Sequence, residues 1–255
     1  MSSQTIQGEG EQEKLASPPP LQAIPPKPRA EVYRSELTKF PTLTRRRQVA
    51  RWLIRGVCRL AVKLCSRYKV YGIENFPKRG PALIVVNHLG DADVVIGMGI
   101  FPVTADGLTK MELYDIPLLG KILDAYGAIW VHRGSPDRHA LRNAILMLEQ
   151  GRILGLAPEG RESLTGALEE GTGGAAYLAL KARAPLYPVT FTGTENWRIY
   201  GNLKRLRRTD ITITVGSPFW LEELSNRREA IRRGTDLIMM KLAQQLPEEY
   251  RGIYQ

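Results

Sequence analysis

The 255 residues contain no run of eighteen apolar residues and no basic, apolar, small-residue signal at the start, so neither a spanning helix nor a secretory leader is expected. Cysteine is scarce. Cys58 and Cys65 would lie about 10 Å apart on one helix, beyond the reach of a disulfide with each other. A reduced, cytosolic setting fits that usage. The three histidines, His88, His132 and His139, fall in different expected elements. A metal centre on His88, Asp91 and Asp93 would be short of further ligands, so neither a metal nor any other cofactor is expected. Acidic residues are absent from residues 45 to 69, where nine lysines or arginines stand.

What is present fits one globular domain with appendages, at 43% hydrophobic content. A net charge of +10 points to an anionic partner: nucleic acid, an anionic membrane surface or a phosphorylated substrate. Nucleic acid is not expected, because no finger spacing or aromatic RNA-binding motif accompanies the charge. Residues 1–30 are polar and then proline-rich and read as a disordered tail. Residues 31–70 hold a basic amphipathic helix, and residues 71–255 the main domain. In the helix Val49, Leu53, Val57, Leu60 and Leu64 recur at helical spacing, opposite Arg51, Arg55, Arg59 and Lys63. Two readings stand for it. One is a membrane-interface helix, apolar face down with Trp52 near the interface and its cations on anionic lipid. The other is a surface helix whose basic face is solvated.

The centre of the chain is Asn87-His88-Leu89-Gly90-Asp91-Ala92-Asp93, after the buried-strand run Ala82–Val86. On one regular helix His88 and Asp93 would point roughly 140° apart. With His88 in the turn and Asp93 in the first helical turn, the carboxylate can hold one imidazole nitrogen while the other faces a substrate hydroxyl. The competing reading is a helix start whose acids favour the dipole.

Further strands are expected in Val103–Leu113, ending near Lys110, in Gly127–Arg133, in Ile153–Leu156, in Pro185–Phe191 and in Ile211–Val215. Arg133 arrives at a strand's C-terminal end, where open α/β sheets place ligands. Ser135-Pro136-Asp137 reads as a helix start, with Ser135 as cap. The turn Pro158-Glu159-Gly160-Arg161-Glu162 carries both charge signs; Gly160 allows close backbone approach and Arg161 can grip a phosphate. Arg198, Lys204, Arg205, Arg207 and Arg208 form a second basic patch, solvated or membrane-facing. Alternating strands and helices imply an α/β core with a mixed, largely parallel sheet flanked by helices.

In this order the motifs resemble the lysophospholipid acyltransferase family. His88 and Asp93 match its HxxxxD motif, Gly127 to Arg133 its arginine-ended strand, Pro158-Glu159-Gly160 its PEG turn, and Leu186-Tyr187-Pro188-Val189 its later proline motif. The resemblance covers about residues 70 to 220. It implies that His88 deprotonates an acceptor hydroxyl, that Asp93 orients the imidazole, and that the hydroxyl attacks an acyl thioester of coenzyme A or acyl carrier protein. Lys110, Arg133, Glu159, Gly160 and Arg161 would bind the acceptor, with 1-acylglycerol-3-phosphate as first choice and phosphatidic acid as product. It also implies peripheral or monotopic attachment at the cytoplasmic face of a membrane. One departure stands out: the family's third motif usually reads PEGTR, whereas Arg161 follows Gly160 directly and Glu162 takes the usual arginine place. That leaves another lysophospholipid, glycerol phosphate or a glycolipid open as acceptor, and a non-catalytic lipid-surface protein as the alternative of a different class.

Overall fold

A computed structural model describes residues 25–27, 33–134 and 137–255, so nearly all of the expected Pro-rich tail lies outside the described residues. Among the described residues seven strands form one sheet: β1 (Ser66–Tyr71), β2 (Ala82–Val86), β3 (Asp106–Lys110), β4 (Ile129–Val131), β5 (Ile153–Leu156), β6 (Leu186–Thr192) and β7 (Thr209–Val215), in the order β1-β7-β6-β2-β5-β3-β4. Every pairing is parallel except β6 with β7. The α/β class and the largely parallel sheet are therefore as expected.

Alternation along β2 explains the two-sided core. Leu83 and Val85 face one cluster with α4 (Arg138–Glu149), α5 (Gly174–Ala182) and α7 (Arg227–Ala243). Ala82 and Ile84 face the other, with Val62 of α1 (Arg45–Cys65) and Ile96 of α2 (Ala92–Ile100). The strand is buried on both faces, which is why its five residues are all apolar. The other α-helices among the described residues are α3 (Pro117–Tyr126) and α6 (Asn196–Lys204).

Two local expectations need correction. The basic run 45–69 is not one helix: α1 ends at Cys65, and Arg67 and Lys69 lie on edge strand β1, paired in parallel with β7. The cap of α4 is Asp137, whose Oδ1 accepts from His139 N and Ala140 N, and not Ser135; Ser135 and Pro136 lie outside the described residues.

The largest correction concerns which face of α1 looks inward. Both sequence readings put its arginines in solvent or among headgroups. Instead Arg51 is 6% exposed, donating through Nη2 to Asp106 and through Nε to Tyr126 O at 2.7 Å. Arg55 donates to Phe101 O at 2.5 Å and Thr104 Oγ1 at 3.1 Å, and Arg59 to Gly99 O at 3.2 Å. The opposite face, with Val49, Trp52, Leu53, Val57, Leu60 and Leu64, is exposed, Trp52 at 74% and Val57 at 69%. The forks of Arg55 and Arg59 satisfy carbonyls that the end of α2 and its following loop leave unpaired, and Arg51 does the same for the last residue of α3. Among the described residues no helix is long and apolar enough to cross a membrane.

Candidate active site

Five parallel strands, β6, β2, β5, β3 and β4, run the same way, so the segments after β2, β5, β3 and β4 meet along one sheet edge. β2 pairs with β5 from Ala82↔Ile153 to Val85↔Leu156. That register sets the His88 turn beside the Pro158-Glu159-Gly160 turn.

His88 is held on three sides. Its N–H donates to Glu159 Oε1 at 3.2 Å, and its carbonyl accepts from Ser163 N at 2.6 Å. Its Nδ1 lies 2.9 Å from Asp93 Oδ2, which also accepts from Leu89 N at 2.7 Å and Gly90 N at 3.1 Å. Asp93 sits in the first turn of α2, so the histidine and carboxylate of the expected pair do meet, by the turn-plus-helix geometry and not along one helix. With a carboxylate on Nδ1, the proton resides there and Nε2 carries the lone pair. Gly90 lets the turn close: a Cβ there would stand 2.5 Å from Asn196 Oδ1 and 2.9 Å from Thr194 O. Asn87 ties the turn to β6, donating to Phe191 O at 2.9 Å and accepting from Phe191 N at 2.8 Å.

A residue that spacing did not assign to His88 faces its other nitrogen. Glu162 Oε1 is 4.0 Å from Nε2, while its Oε2 accepts from Asn196 Nδ2 at 3.0 Å. Asn196 Oδ1 in turn accepts from Asp91 N at 3.0 Å. Burial by itself pushes the imidazole down. The hydrogen bond and charge of Asp93, with Glu162 and Glu159 behind them, outweigh it and hold His88 above its ordinary value. The unusual Glu162 was visible in the motif; its partner lies 74 positions away, which no local pattern reveals.

The remaining expected site residues separate into two groups. Glu159, 1% exposed, accepts from His88 N and from Glu169 N at 2.8 Å, so it braces the turn from beneath. Desolvation dominates there and pushes its carboxyl up to about 7, against the pull of those two N–H groups. Gly160 supplies the left-handed backbone of the turn at φ +73°. Arg161 does not stand at an open anion site: its Nε pairs with buried Glu169 at 2.6 Å and its Nη1 donates to Pro25 O at 2.8 Å. The path of the loop from 161 to 169 turns its guanidinium into the protein. Arg133 and Lys110 do reach the sheet edge. Arg133 follows β4 and is gripped by Glu112 at 2.6 Å; Lys110 ends β3. The strand of Lys110 lies two places from β2 and that of Arg133 three, about 10 and 14 Å at ordinary strand spacing. Among the described residues no group of three or more His, Cys, Asp or Glu could hold a metal ion.

Comparison with known proteins points to one kind of enzyme. A family model described as Acyltransferase matches residues 67–192. The chain is 28% identical over 162 residues to the 1-acyl-sn-glycerol-3-phosphate acyltransferase of Bacillus subtilis, covering 63% of this chain and 77% of that one. It is 33% identical over 132 residues to the enzyme of the same name from Borreliella burgdorferi, spanning 51% of this chain but only 53% of the relative. The crystal structure of the 1-acyl-sn-glycerophosphate (LPA) acyltransferase PlsC from Thermotoga maritima shares the fold, with a TM-score of 0.58, 24% identity and coverage of 81% and 85%. The family match runs from β1 to the end of β6 and takes in His88, Asp93, Glu159, Glu162 and Ser163, and the chain is a homologue of the 1-acyl-sn-glycerol-3-phosphate acyltransferases.

Proposed function

We propose that this protein transfers a fatty acyl group from a coenzyme A or acyl carrier protein thioester to the free hydroxyl of 1-acylglycerol-3-phosphate, giving phosphatidic acid. The observation that carries the reading is the 2.9 Å contact between His88 Nδ1 and Asp93, which leaves Nε2 as the base. Nε2 takes the hydroxyl proton as the oxygen attacks the thioester carbonyl; the tetrahedral intermediate then breaks its C–S bond, and the proton passes from the imidazolium to the departing thiolate. Asp93 stabilises the imidazolium between those steps. Lys110 and Arg133 bind the acceptor's phosphate, and Glu159, Gly160 and Arg161 hold the turn on which His88 rests. The exposed apolar face of α1 supports peripheral attachment to a membrane, where both acceptor and product reside.

Glu162 favours a second reading of the acceptor. A carboxylate beside Nε2 repels an incoming phosphate and welcomes a hydroxyl or ammonium donor, so a lysophospholipid or glycolipid of less negative headgroup is the alternative. Mass-spectrometric detection of product from long-chain acyl-CoA, with lysophosphatidate and a zwitterionic lysophospholipid in parallel mixed micelles, separates the two. Phosphatidate as the main product supports the first reading; product from the zwitterionic acceptor alone replaces it with the second. Silence on both acceptors with either thioester overturns the transferase reading in favour of a lipid-surface protein.

Glu162→Gln gives a finer check. Removing the anion relaxes the upward push on His88, so the acidic limb of the kcat/KM profile moves to lower pH. On an anionic acceptor kcat/KM rises by roughly tenfold. An unmoved limb would show that Glu162 does not act on the base.

A further inference from the structure

We propose that the turn between α6 and β7 is a second membrane contact, in which Leu206 enters an anionic bilayer as an apolar wedge set among cations. It extends the membrane reading of α1 to a new surface and is tested apart from it.

The turn closes by two hydrogen bonds, Leu206 N to Leu203 O at 3.0 Å and Arg207 N to Asn202 O at 2.9 Å. These are the paired bonds of the helix-ending motif whose left-handed position normally holds glycine. Here that position is leucine, at φ +53°. Any Cβ is unfavourable in that region of backbone space. Among the described residues the Leu206 side chain gains almost no burial in return, being 96% exposed. Strain retained without compensating contacts points to an external partner.

The surroundings identify the partner's chemistry. Lys204, Arg205, Arg207 and Arg208 flank the leucine, all are exposed, and residues 196 to 209 contain no acid. Cations at headgroup level with one apolar side chain below them suit an anionic lipid surface. A nucleic acid would use the cations but gain nothing from a leucine held against its backbone preference. Arg208 donates through Nε to Leu64 O at 3.1 Å and through Nη2 to Lys63 O, docking the turn on the end of α1 where Leu60 and Leu64 are exposed. The patch thus continues the apolar face of that helix.

α6 also links this turn to the chemistry. Its first residue, Asn196, holds Glu162 and the Asp91 backbone beside His88, and its nine residues span about 13 Å. Lipid contact at Leu206 therefore fixes the height of the His88 turn above the bilayer.

The test is partition of the full chain onto vesicles of phosphatidylglycerol and phosphatidylcholine, with Leu206→Gly, Lys204→Gln/Arg205→Gln, and Val57→Asp as the α1 control. Leu206→Gly is expected to weaken partition by roughly tenfold, the loss of one buried leucine, while the melting temperature stays level or rises because glycine relaxes the turn. The double variant loses about fivefold per cation on anionic vesicles and little on pure phosphatidylcholine. Unchanged partition of Leu206→Gly, with Val57→Asp still impaired, overturns the second contact and leaves the α1 reading standing. A lowered melting temperature in Leu206→Gly makes the leucine a structural residue and overturns the proposal. Duplex DNA that outcompetes anionic vesicles, and fails to do so in the double variant, assigns the patch to nucleic acid instead.

Discussion

Alanine in place of His88 is expected to lower acyl transfer by about a hundred- to ten-thousand-fold, the range in which a positioned general base acts. The protein is expected to remain folded, because the imidazole is not what holds the turn. The His88 backbone keeps its bonds to Glu159 and Ser163, and Asp93 keeps the N–H groups of Leu89 and Gly90. Circular dichroism and vesicle partition should therefore match the parent while product formation falls. Residual turnover comes from holding acceptor and thioester together. Turnover within about threefold of the parent would remove His88 from the mechanism, since general-base action accounts for at least a hundredfold.

The second large effect is on stability. Asp106→Ala is expected to cost about 3–5 kcal/mol, the range for removing one partner from a buried ion pair. Asp106 accepts from Arg51 of α1 and, through both its oxygens, from Arg152 ahead of β5. Their side chains are 8% and 10% exposed, so the substitution leaves two guanidinium groups desolvated without an anion. Urea denaturation measures the loss. Asp124→Ala serves as the contrast: it faces Arg47 at 3.8 Å and is 58% exposed, so a loss under about 1 kcal/mol is expected. Equal losses in the two variants would mean that the Asp106 network does not seat α1.

That network was also the least legible part of the chain. A helical wheel separates the arginines of α1 from its apolar residues but does not say which face turns inward. The usual expectation, apolar side inward, fails because Asp106, Tyr126 O, Phe101 O and Gly99 O wait beneath the helix. Each lies 40 or more positions from its arginine, so no window on the sequence contains both partners. Arg161 failed for the opposite reason. Its partner Glu169 is only eight residues on, but the path of the loop, not the spacing, turns the guanidinium inward.

The sequence by itself determined the elements and the chemistry that depend on near neighbours. Apolar runs bounded by turns located β2 and β5, and five residues of spacing joined His88 to Asp93 at a strand-to-helix corner. Short-range constraints of this kind follow from backbone geometry alone. Only the tertiary structure decided which groups surround that pair. Sheet order brings the 158–163 turn against His88, places Glu162 at Nε2 and sends Arg133 three strands away. The inward arginines and outward leucines of α1 are a further case. Burial is decided by what the rest of the chain presents, and the described residues present acceptors to the charged face and leave the apolar one exposed.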